Sequence, residues 1–202
     1  MQQQHARILR ATLLIFGVLL VALIFFALYW QQQQTSDIIF NYNGFRFQRD
    51  QAIGYKVQLY INNQAVPVSI HLREDPRTLE NIPIIGDAQI LRQKKQIYVT
   101  LDPFANLTGK TTIGALEIDA IIDNPYLFNI PVSSAFTKPY LNSTVKTCND
   151  ATVQEGIILL QTGETTHISV SDECIIIQGA TEEDIIRASD RLVYTLLNIM
   201  ES

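Results

Sequence analysis

The sequence predicts a mixed α+β fold: one extracytoplasmic domain, with a mixed β-sheet and two main helices, behind an N-terminal transmembrane helix. Three observations predict it. A run of twenty residues near the N-terminus carries no charge and no proline. The first half of the remainder alternates apolar and polar residues between turn dipeptides, the period of a half-buried strand. The second half reads as strand, helix, strand, then three short strands and a closing helix, the order of a sheet with helices packed on it.

The apolar run is Ala11 to Trp30, ATLLIFGVLLVALIFFALYW. Twenty helical residues reach about 30 Å, the thickness of a bilayer's hydrocarbon core. Arg7 and Arg10 precede the run, and four glutamines, Thr35, Ser36 and Asp37 follow it. Basic residues favour the cytoplasmic side, so residues 1–10 are expected inside and the C-terminal part outside. Tyr29 and Trp30 fall where interfacial aromatics belong. Two alternatives compete with an anchor. A cleaved secretory signal is opposed by the length of the run and by Ala27-Leu28-Tyr29, which puts a bulky residue where the cut needs a small one. A pilin-like helix has only Arg10-Ala11 as a faint processing match, and Gly17 and Ala22 lack the spacing of a close-packing motif.

Residues 31–37 read as a polar linker. Residues 38–84 read as a β-rich hairpin region. There, IIFNYNGFRF sets Asn43-Gly44 between aromatic and β-branched residues, a hairpin signal. Phe40, Tyr42, Phe45 and Phe47 alternate, as on one sheet face. In YKVQLYI, Val57, Leu59 and Ile61 share a face; Asn62-Asn63 offers a turn, and AVPVSIHL alternates again, its Pro67 pointing to an edge strand. Asp75-Pro76 breaks the pattern, and ENIPIIG reads as a connector.

Residues 85–202 read as an α/β region packed with the first as one domain. QIYVTL (96–101) is a strand ending at Asp102-Pro103. Lys110 to Asp123 is a helix, with Ile113, Leu116, Ala120 and Ile121 expected on the inner face and Lys110, Glu117 and Asp123 on the outer. Asn124-Pro125 stops it. FNIPVSSAF, GIILLQ, THISVS and CIIIQG are the remaining strands. Thr181, with Asp184 three residues on, starts the last helix. Ile185, Ala188, Leu192, Leu196 and Ile199 form its apolar stripe, widened by Ile186, Val193, Leu197 and Met200. Glu183 and Arg187 are placed for an i,i+4 pair, and Asp190 with Arg191 continues the expected solvated side.

The net charge of -5 leaves no electrostatic footprint for nucleic acid. The two cysteines, Cys148 and Cys174, are expected to pair outside the cytoplasm; the loop they close is worth roughly 3–3.5 kcal/mol in the chain-entropy account. Asn106-Leu107-Thr108 and Asn142-Ser143-Thr144 are glycosylation acceptor sequons in expected loops.

Chemical signatures are few. Gly109-Lys110-Thr111 matches the tail of a phosphate-binding loop, but that pattern needs a glycine where Phe104 stands, so an ordinary helix start is the expectation. His5, His71 and His167 have no local partner in metal-ligand or nucleophile–base spacing. Glu173 and Glu182, Glu183, Asp184 cluster without the spacing of a calcium loop, and the latter three suit a helix N-terminus. No catalytic residue, metal site or cofactor is expected.

Four segments together, FNYNGFRF, DPRTLENIPI, YVTLDP with TTIGALEIDAIIDNP, and CIIIQGATEEDIIRASDRLVYTLL, resemble a group of uncharacterised archaeal proteins with an N-terminal membrane anchor and an outward domain. The closing strand, Gly179, Thr181 and acidic turn are more loosely similar to the end of archaeal surface-layer modules. The resemblance implies an envelope location and brings no catalytic residue with it. The expected function is therefore non-enzymatic: an outer domain that binds a protein or surface component, with the bilayer as the partner of residues 11–30. An anchored hydrolase built on His71 or His167, or a pilin-like filament subunit, are the alternatives.

Overall fold

The computed structural model of the protein describes residues 16–29, 39–50, 54–61 and 64–201. Residues 16–29 form a helix, α1, within a unit separate from Asn41–Ser202. Its apolar side chains, from Phe16 and Val18 to Leu28 and Tyr29, are exposed. Fourteen helical residues reach about 21 Å. Among the described residues no helix is long and apolar enough to cross a membrane. The tail 1–10, with Arg7 and Arg10, both ends of the expected span (11–15 and 30), the linker 31–37 and the Asn62-Asn63 turn lie outside the described residues.

The rest is a mixed α+β structure with two sheets. The first is a meander of β1 (Ile39–Tyr42), β2 (Phe45–Asp50), β3 (Gly54–Ile61) and β4 (Gln64–Leu72), in that order. Asn43 and Gly44 both take positive φ, 47° and 82°, as the two-residue hairpin turn between β1 and β2 demands. Period-two alternation buries Phe47, Val57, Leu59, Ile70 and Leu72. β4, which carries Pro67, is an edge strand.

The second sheet has six strands in the order β5-β9-β10-β8-β6-β7. These are β5 (Ile84–Ile85), β6 (Gln96–Leu101), β7 (Val132–Phe136), β8 (Glu155–Thr162), β9 (His167–Ser171) and β10 (Cys174–Gly179). β10, β8, β6 and β7 run parallel; β9 is antiparallel to β10, and β5 is parallel to β9. The near-continuous apolar runs in β8 and β10 are those of strands covered on both faces. The expected connector ENIPIIG and the stretch after it each hold a regular piece. β5 adds a two-residue edge strand, and Ala88–Gln93 is a 3-10 helix capped by the Asp87 side chain.

Two helices cover one face of this sheet. α3 (Glu182–Leu196) packs on β10, β8 and β9, and α2 (Gly109–Ile122) packs on α3. Beneath them lie Ile158, Leu160, Ile175 and Ile177, all buried. The opposite face, with Tyr98, Thr100 and Cys174, is crossed by the segment joining β7 to β8. That segment is held by the Thr100 hydroxyl donating to the Lys146 carbonyl (2.9 Å), by the Lys146 ammonium over the Tyr98 ring (4.6 Å), and by the Cys148–Cys174 disulfide.

The meander packs on α3 from the other side. Phe47 meets Tyr194 edge to face at 5.8 Å, and the Asn43 amide donates to the Ile199 carbonyl at 2.9 Å. α3 is thus a central layer, which corrects its expected solvated side: Asp190 and Arg191 are buried along with the apolar stripe. The cause lies far away in sequence. The Glu74 amide donates to Asp190 at 2.8 Å, and the Arg191 guanidinium donates to the carbonyls of Ile82 and Glu201. The expected Glu183–Arg187 pair is also replaced: Arg187 pairs with Asp184 at 3.1 Å, and Glu183 with Lys110.

α2 is turned relative to its expected orientation. Thr111, Gly114, Ile118, Ile121 and Ile122 are buried, whereas Leu116 is 59% exposed. Contact with α3 decides this. A β-carbon on Gly114 would lie 2.5 Å from the Ser189 hydroxyl, so only glycine lets the helices approach this closely.

Candidate functional site

The turned helix opens a groove. Its wall is one stripe of α2, Thr112, Ala115, Leu116 and Asp119, at helical spacings of three and four residues. Its floor is the end of the sheet that α2 leaves bare, with Val99 and Leu101 of β6 and Val132, Ser134 and Phe136 of β7. Asn142, Ser143 and Thr144 close one end. The groove is open to solvent and has a volume of about 650 Å³.

Hydrogen-bond parity shows what β7 presents on its outer side. The Ile97 amide donates to the Pro131 carbonyl, and the Thr137 amide to Leu101, so 131, 133, 135 and 137 face β6. Val132, Ser134 and Phe136 therefore turn their amides and carbonyls outward. Phe136 uses both: its amide donates to the Thr144 carbonyl (2.9 Å), and its carbonyl accepts from the Lys146 amide (2.9 Å). Val145 is in this way a one-residue parallel partner of β7. Four residues before it, Leu141 takes a φ of 53°, and Asn142 to Thr144 then run along the groove to Val145. The outward main-chain groups of Val132 and Ser134 have no partner among the described residues.

Asp119 is the groove's ionisable group. Burial, then the Asp123 carboxylate, raise its affinity for a proton above that of an ordinary aspartate. No cation or donor faces its carboxylate among the described residues. Phe104, Tyr140 and Leu141, all exposed, extend the apolar surface beyond the groove, and Tyr140 stands edge-on to Phe136 at 5.4 Å. A second cleft, of about 540 Å³, lies between Asn43, Gln89, Asn198 and Glu201.

The Gly109-Lys110-Thr111 segment does begin a helix after a strand, but the chain fills its own anion position. One oxygen of Glu182, from α3, accepts from the amide and hydroxyl of Thr108 (2.9 and 3.1 Å) and from those of Thr111 (3.2 and 2.7 Å). Partial burial would raise this carboxyl, and the hydrogen bonds from Thr111 and Thr108 outweigh it, so Glu182 stays below the usual glutamate range. A carboxylate thus sits where a phosphate would have to enter.

The other acidic residues of the cluster are also engaged. Glu173 pairs with the buried Lys94 ammonium, which in addition donates to the Thr152 carbonyl at 3.0 Å. Glu183 pairs with Lys110, and Asp184 bonds Thr181 and Arg187. Among the described residues no group of three or more His, Cys, Asp or Glu side chains is placed to hold a metal ion.

His71 is exposed on β4, and His167 lies on β9 of the other sheet with Thr165 as its hydroxyl neighbour (3.3 Å). Neither lines the groove. Asn106, with φ 54°, and Asn142 are both exposed in loops. The hydroxyl of Thr108, in the first sequon, accepts from the Lys110 amide as the cap of α2.

A buried acid pair went unforeseen. Asp190 is fully buried, and its carboxyl meets that of Glu117 across the α2–α3 contact. One oxygen of each, Oδ1 and Oε2, has no donor if both are ionised. A single shared proton satisfies both. Burial, reinforced by Glu117, pushes Asp190 well above the aspartate range, so it holds the proton. Glu117 keeps Arg73 as its ion partner at 2.7 Å.

No family model matches the sequence, and neither curated proteins nor solved structures give a match.

Proposed function

We propose that the chain is a single-pass membrane-anchored protein of a cell envelope, akin to the archaeal group it resembles, whose outer domain binds a protein as an accessory subunit of a membrane complex. The groove between α2 and β7 carries the reading: it combines exposed apolar side chains with main-chain groups that have no partner among the described residues. A helix apolar on all sides, as α1 is, belongs in a core or in lipid. Arg7 and Arg10 ahead of it favour a cytoplasmic N-terminus. The disulfide suits an oxidising compartment.

A photo-crosslinking residue placed at Leu116 in cells, with Gln48 on β2 as the control position, tests this. The expected result is one discrete adduct at Leu116, identified by mass spectrometry as an envelope protein and reproduced from the partner's side. Adducts of the chain with itself alone, or equal labelling at Gln48, would overturn it.

A further inference from the structure

The groove's two walls specify more than an apolar patch. Along β7, Phe136 is already paired by the chain's own Val145, and the pairing stops one step short of Ser134. What fits next must offer donors and acceptors alternately along a line, at the strand spacing of about 3.3 Å per residue. Side chains from every second residue of such a strand would point over the sheet face that carries Val99, Leu101 and Val132, towards Ala115 and Leu116 of α2. The remaining residues would point away from the groove. At the far end of the helix stripe stands Asp119, a carboxylate with no cation opposite it among the described residues.

We propose that the open edge of β7 at Val132 and Ser134 takes an extended peptide segment of the partner, apolar at alternate positions and bearing a lysine or arginine that meets Asp119. The mode is strand addition: the main chain supplies the hydrogen bonds and alternate side chains supply selectivity. The occupied stretch at Val145 shows that this edge accepts a strand, and Asn142, Ser143 and Thr144 bound the groove at that end. A segment of about five residues, an ordinary strand length, matches two outward-facing positions with their flanks. The proposal rests on the reading that the outer domain binds a protein.

The full-length chain in detergent micelles is used to select from phage-displayed random octapeptides. The affinity of the best peptide is then measured with each of its peptide nitrogens methylated in turn. The expected selection alternates apolar residues and includes a basic one. N-methylation at alternate positions should weaken binding tenfold or more, with little effect at the positions between. Asp119→Asn should weaken the same peptide several-fold and flatten its salt dependence. Ser134→Pro, which deletes an outward amide and leaves the β6 ladder intact, should abolish binding. If that variant folds poorly, the methylation scan decides without it. No selection, or a scan without a period of two, would overturn the proposal. Should Leu116 still crosslink a partner in that case, strand addition alone is wrong; should it not, the binding reading fails with it.

Discussion

Asp190 and Glu117 meet with more acceptor atoms than donors, and a shared proton resolves this. The sign of the pH effect follows. A carboxyl whose folded pKa is raised contributes its stability fully below its unfolded pKa, about 3.9 for aspartate, and loses it as pH rises through the folded value. The penalty therefore grows as pH rises above about 4. Asp190→Asn supplies an N–H to Glu117 at every pH and still accepts from the Glu74 amide. The variant should match the wild type near pH 4 and gain on it steadily as pH rises towards neutral. Urea unfolding of both proteins across that range checks this; a constant difference would mean that no proton is shared. Asp190→Ala, which strands the Glu74 amide, should cost about 1–3 kcal/mol instead. None of this was legible in the sequence. Asp190-Arg191 reads as a solvated pair because the residues that neutralise it, Glu74, Ile82 and Glu117, come from other elements.

At the scale of elements, strands and caps were legible and helix orientation was not. The Asn43-Gly44 turn, the Thr181 cap and the runs in β8 and β10 are local signals, and each marks its element. β5 is two residues long, too short to carry a period. α2 misled because its Leu116 and Ala120 look like core residues, while the contact is made by the smaller Gly114 and Thr111. The same turn that buries Gly114 exposes Leu116, so the groove itself was hidden from the sequence. Gly114→Ala tests the packing. Alanine favours the helix by about 1 kcal/mol, and overpacking against Ser189 costs about 1–3 kcal/mol. The net effect should be a loss of up to about 2 kcal/mol in thermal or urea unfolding. Adding Ser189→Gly should reverse the sign of the alanine substitution; additivity of the two changes would refute the close contact.

For the molecule as a whole, the order of elements predicted a mixed α+β domain, and the two-sheet structure with α3 between is one. Pairing of Cys148 with Cys174 was also legible, from an even count in a domain expected outside the cytoplasm. Layering was not, since nothing in the meander's alternation says which helix it will cover. The bond joins cysteines 26 residues apart, and its loss should cost about 3.5 kcal/mol in the chain-entropy account. Reduction, or paired Cys→Ser substitution, should lower the urea midpoint accordingly and steepen the dependence on denaturant, because the unfolded chain becomes less compact. If the domain faces outward as proposed, neither thiol should take an alkylating label in chain isolated from cells without reductant; ready labelling would count against that.

The position of α3 has a consequence for biosynthesis. Of the domain's elements it is the last to leave the ribosome, yet both sheets need it. Phe47 of the meander packs against its Tyr194, and Ile158, Leu160, Ile175 and Ile177 lie under its other side. Until α3 emerges, the meander lacks the helix it packs on and the second sheet lacks its cover on that face. The helix that joins the two sheets is therefore made only after every strand of both.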